Sequence, residues 1–118
     1  MFPTRVRVGS MNSPFLPLAD EIGRIARAGF EFVDLTLEPP EAWPVRPDEV
    51  QRLVASAGLD VVGHTAYYLP IASPFPELRV AARELMVQAF EIFAVSGNPL
   101  VDFVVVRGGN AQKTDSPL

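Results

Sequence analysis

Residues 54–64 read VASAGLDVVGH, and nearly the same pattern stands 29 residues earlier, at 25–33, as IARAGFEFV. Each stretch holds the end of an apolar-faced helix, then a glycine, then a run rich in β-branched or aromatic residues. Glycine adopts the left-handed backbone that closes a helix without steric cost. The run that follows has the composition of a strand. A helix, a glycine stop and a strand, twice over at this spacing, predict βα units joined by right-handed crossovers into a parallel sheet.

Working outward, residues 4–9, TRVRVG, alternate polar and apolar and predict a short first strand. After the turn SMNSPFLP, the residues Leu18, Ile22, Ile25 and Ala26 share one helical face, and Gly29 ends that helix. FEFVDLTLE, 30–38, is the second strand. A proline-studded loop leads to a helix over 47–57, opened by Pro47, with Val50, Leu53 and Val54 inward and Gly58 at its end. LDVVGH, 59–64, is the third strand, and TAYYLPIASPFP a long loop. The longest helix spans about 76–96, with Leu78, Ala82, Leu85, Met86, Ala89 and Phe93 on its apolar face and Gly97 as its stop. LVDFVVV, 100–106, is nearly continuous in apolar residues, as in a strand covered on both faces. The expected fold class is therefore α/β, with about four parallel strands and three helices. The expected division is a single domain over 1–107 and a polar, mobile tail over 108–118.

Composition narrows the function. Nearly half of the residues are hydrophobic, enough for a true core, and the net charge of −4 argues against a nucleic-acid partner. Nine of the ten basic residues are arginines, and they are scattered. No apolar run reaches the length of a membrane helix, and the first ten residues lack the apolar segment of a signal peptide, so the expected location is cytoplasmic. With no cysteine, disulfides, thiolate catalysis and cysteine-held zinc are excluded. Neither a phosphate-binding glycine loop nor a dinucleotide fingerprint is present. His64, the single histidine, stands where an apolar strand gives way to a polar, aromatic loop. Strand ends of that kind are where α/β proteins place ligands and metals. The plainer reading is a strand-end histidine satisfied by hydrogen bonds.

Three stretches carry a resemblance to a known family: AGFEFVDLTLEPP (28–40), GHTAYYLPIASPFPELRVAA (63–82) and FAVSG (93–97). Together they are similar to the xylose isomerase-like TIM-barrel superfamily, which includes sugar phosphate isomerases and epimerases and endonuclease IV-like proteins. The resemblance implies about half of a (βα) barrel, because a closed one takes at least about 200 residues. It implies a site at the C-terminal ends of the strands. There His64 corresponds to a divalent-metal ligand, and the acid of strand two to Asp34 or Glu38. We assign His64 and Asp34 to the metal (Mn, Zn or Mg) and Glu38 to proton transfer. Tyr67, Tyr68 and Arg107 are assigned to a sugar or sugar phosphate; Trp43 is ambiguous. The sequence departs from the family at the fourth strand, where Arg107 or Val104, depending on alignment, stands in the place of a histidine. An incomplete ligand set implies that a second copy completes the site as a homodimer. The alternatives are an inactive half-barrel that binds a small anion or a partner protein, and a non-functional fragment.

Overall fold

The computed structural model describes residues 6–97 and the backbone of 101–102. In chain order the elements are β1 (Gly9–Met11), α1 (Leu18–Arg27), β2 (Phe32–Thr36), α2 (Pro47–Ala57), β3 (Asp60–His64), α3 (Pro76–Val95) and β4 (Val101–Asp102). The strands form one sheet in the order β1-β2-β3-β4, with every neighbouring pair parallel. Each crossover thus moves one strand in the same direction. Right-handed crossovers of that kind keep all the helices on one face, the winding of a barrel rather than of an open sheet covered on both sides. Among the described residues the sheet is open, with four strands where a closed barrel has eight.

The paired sequence repeats make the same structure twice. At the end of α1, Gly29 takes φ 89°, its N–H bonds the Ala26 carbonyl, and the Phe30 N–H bonds the Ile25 carbonyl. At the end of α2, Gly58 takes φ 68°, its N–H bonds the Ala55 carbonyl, and the Leu59 N–H bonds the Val54 carbonyl. This pair of reversed bonds is the Schellman arrangement, which satisfies the last carbonyls of a helix and turns the chain back toward the sheet.

One core joins the helices to the sheet. Ile22 and Ile25 of α1, Val50 and Val54 of α2, and Ala89, Ile92 and Phe93 of α3 pack on Val33, Leu35 and Val61. Because side chains alternate along a strand, these contacts assign the odd-numbered residues of β2 and β3 to the helix side. Phe32, Asp34, Thr36, Val62 and His64 fall on the other face, which lines the lumen in a closed barrel. Gly63 belongs to the helix side, and its lack of a side chain admits Phe93. A Cβ there would lie 2.6 Å from the Phe93 ring.

Two expectations shift. Among the described residues the first strand is Gly9–Met11, later than expected: Val6 and Val8 alternate as in a strand but are both exposed, and the ladder with β2 begins where Gly9 meets Phe32. Leu78 is exposed rather than inward, because burial along α3 begins only at Ala82 and the first turn overhangs the core. Leu85 and Met86 are half-buried, and the reverse side of α3 exposes Val80, Val87 and Phe90. The fourth strand is described only at Val101–Asp102; residues 103–106 and the tail at 108–118 lie outside the described residues. No helix among the described residues is long and apolar enough to cross a membrane.

Replacing Gly63 by alanine forces its methyl group to within 2.6 Å of the Phe93 ring, which is fully buried. Overpacking of this kind costs about 1–3 kcal/mol. Urea unfolding of Gly63→Ala is expected to show a loss in that range. An unchanged midpoint would mean that α3 is not seated on β3 as described.

Candidate active site at the C-terminal ends of the strands

The far ends of β1, β2 and β3 are fixed by side chains, not only by the sheet. Beyond Met11, the last residue of β1, the Asn12 side chain continues the ladder. Its Nδ2 donates to the Thr36 carbonyl at 3.0 Å, and the Thr36 N–H donates to its Oδ1 at 2.8 Å. Asn12 and Thr36 are each about 1% exposed. An amide that offers one donor and one acceptor thus replaces a strand residue at a place where the backbone has already turned away. Asn12 is held in turn by the start of the next loop. The buried Glu21 carboxylate of α1 accepts from the Ser13 N–H at 2.6 Å and from Arg24 Nε at 2.8 Å. The Arg24 guanidinium, then the Ser13 N–H, hold the Glu21 carboxyl below its ordinary range, against the opposing effect of burial.

This clamp fixes the end of β2, and β2 fixes β3. The ladder pairs Asp34 with Val62 and Thr36 with His64. Asp34 and His64 therefore project from the same face on a diagonal, and His64 Nδ1 stands 3.4 Å from Asp34 Oδ2. Both side chains are about one-fifth exposed, at 18% and 23%. An imidazole and a carboxylate in contact, shielded but reachable, can hold a cation together. Alternatively, the carboxylate can orient the imidazole so that Nε2 turns toward a ligand. On the other side of His64, the ladder with β4 sets it beside Asp102.

The remaining sequence-assigned residues are dispersed around this pair. Glu38 is half-buried two residues beyond the end of β2 and lies beside Tyr68. The Tyr68 phenol is raised above its usual range, mainly by burial and then by the negative charge of the nearby Glu38 carboxylate. Tyr67 and Tyr68 meet edge to face, with ring centroids 5.3 Å apart, and both are exposed. Trp43 packs partly buried against the core. Arg107 lies outside the described residues. Among the described residues no three His, Asp or Glu side chains group closely enough to hold a metal ion. Sequence reading missed Asn12, Glu21 and Arg24. An asparagine in SMNSP has the look of a turn residue, and only the register with Thr36 gives it another role.

Asn12→Ala would strand a buried N–H and a buried carbonyl on Thr36. Each such group costs about 1–3 kcal/mol. Denaturant unfolding is expected to show a loss of at least that size, and a neutral substitution would remove the clamp from the account of this site. Glu21 sets a pH dependence. Its folded-state pKa lies below the unfolded one, so its contribution is complete above the ordinary carboxylate range and is lost as pH falls through the lower folded value. Glu21→Gln is expected to be less stable than the native chain at neutral pH, with the difference shrinking in acid. A constant difference across the acid range would contradict this linkage.

Comparison with known proteins follows the same geometry. A family model described as xylose isomerase-like TIM barrel matches residues 22–117, from within α1 through β4 and beyond. Comparison with individual curated proteins gives no match. The parallel order, the one-sided helix layer and a match over most of the sequence agree: the chain belongs to the xylose isomerase-like TIM-barrel family.

Proposed function

We propose that this chain supplies part of a metal-assisted site that isomerises or epimerises a sugar or sugar phosphate. The observation that supports this reading is the contact between His64 and Asp34 on the lumen side of the sheet. Imidazole nitrogen and carboxylate oxygen are donors that Mn, Zn and Mg accept, so the two residues fit such an ion as a partial ligand set. A divalent ion bound there would polarise a sugar carbonyl. Glu38 is the group for the proton beside that carbonyl: it is half-buried at the rim, with Tyr68 nearby. The exposed faces of Tyr67 and Tyr68 offer a surface for the apolar side of a sugar ring. The assignment of Arg107 to a phosphate rests on the sequence alone.

Two ligands do not complete an ion's coordination. The described sheet ends in β1 on one side and β4 on the other, and unpaired strand edges invite pairing with another chain. A homodimer in which two half-barrels share one lumen would bring a second His64 and a second Asp34 to the same space. The second reading is a half-barrel without catalysis that binds a small anion or a partner protein. The absence of a three-ligand group among the described residues favours it.

Calorimetric titration with Mn2+ and Zn2+, on protein first sized by light scattering, separates the two readings. The metal reading expects a dimer, and binding that is lost in His64→Ala and weakened in Asp34→Asn. A folded, monodisperse monomer without metal affinity would sink both the ion and the dimer, and leave the second reading.

A further inference from the structure

The described sheet has two edges, and exposed apolar side chains gather near both. On the β4 side they belong to α3. Gln88 and Ile92 adjoin the loop that leads into α2. By helical spacing, Arg83, Val87 and Phe90 fall on the opposite flank, away from α2. With Ile71, Arg79 and Val80 they line a groove of about 500 Å3. Val80, Val87 and Phe90 are all exposed. Apolar residues scattered singly are ordinary on a surface, whereas a contiguous patch marks a place of contact.

On the β1 side, the loop after β1 presents Phe15 and Leu16, of which Phe15 is 74% exposed. Pro14 and Pro17 flank the pair and restrict its backbone. The Glu41 N–H donates to the Pro14 carbonyl at 2.9 Å and ties this loop to the one after β2. Phe15 and Leu16 therefore form a braced apolar knob.

Three observations make a second copy of the chain the occupant of the groove. The charges are complementary: the charged residues on the groove wall are Arg79 and Arg83, while Glu41 and Asp20 stand exposed near the knob in space or sequence. The Arg79 guanidinium is already held by the Ser73 carbonyl at 2.7 Å. Knob and groove also lie at the same end of the sheet, since the knob follows the last residue of β1 and the groove begins at the start of α3. Finally, they flank opposite edges. A second copy whose β1 continues the parallel order beyond β4 would bring its knob to the open flank of α3.

We infer that each copy of the chain docks Phe15 and Leu16 into the α3 groove of the other, with carboxylates beside the knob facing Arg79 and Arg83. A two-fold axis makes the two contacts identical and closes the assembly. The inference rests on the shared-lumen dimer proposed above, but not on its metal: the contact forms whether or not His64 holds an ion.

Sedimentation velocity of the full chain over a range of concentrations, in metal-free buffer, gives the Kd of the dimer. Phe15→Asp and Val87→Asp are each expected to raise it at least tenfold. Gln88→Asp, on the α2 flank, is expected to leave it unchanged. Mixed in equal amounts, the Phe15→Asp and Val87→Asp chains are expected to associate more tightly than either does alone, because one of the two contacts then joins an intact knob to an intact groove. Pairing of α3 with α3 would gain nothing from mixing. Both positions are exposed; if either variant loses its cooperative melt, Leu16→Ser and Arg83→Glu take their places. A native chain that stays monomeric overturns the dimer and this contact together. A native dimer that persists in both variants, or a mixture no tighter than its parts, overturns the contact alone and leaves the dimer standing.

Discussion

The parallel ladder between β2 and β3 is the constraint on which the rest depends. It sets Val33 beside Val61 and Thr36 beside His64, and alternation does the rest. Once Val33, Leu35 and Val61 are committed to the helices, Asp34 and His64 have only the opposite face. A slip of one residue would bury the carboxylate and the imidazole among isoleucines and expose the valines. The hydrophobic core therefore fixes the polar site without touching it.

The architecture was largely legible in the sequence, because local signals and long-range packing agree. The repeated glycine stops, the apolar periodicities of the first two helices and Pro47 all describe elements that form with few contacts beyond their own. The bounds of α2 match the expectation residue for residue. The errors fall where tertiary context decides. Val6 and Val8 carry the alternation of a strand, yet at the edge of a sheet nothing covers them. Leu78 fits the helical face but extends past the layer that would bury it. The site was legible only in part. Sequence reading assigned His64 and Asp34 to one ion and Glu38 to proton transfer, but the strand register that sets His64 against Asp34 has no signature in the sequence. The roles of Asn12 and Glu21 had no local signature, because each acts on a backbone group brought near only by folding.

The two ends of the sheet differ in the side chains that they gather. At the start of the strands, Arg7 pairs with Asp60 and lies 3.5 Å from Glu31, tying β2 and β3 together through charge. Such exposed pairs contribute little individually, and they orient rather than stabilise. At the other end stand the buried amide clamp, the imidazole–carboxylate contact and the tyrosines. The first group aligns neighbouring strands, and the second gathers the polar side chains on which the proposed site rests.

The turns that lead from helix to strand are short and alike, at residues 28–31 and 58–59, each closed by its left-handed glycine. The second and third that lead from strand to helix, at 37–46 and 65–75, are long and unlike one another. Variation in the chain is thereby channelled. An insertion near Gly29 or Gly58 would misdirect the next strand, whereas the long connections can be rewritten with the frame left standing. Since Glu38, Tyr67 and Tyr68 lie on those connections and His64 at the start of one, such a scaffold can change what it presents at this end without having to relearn how to fold.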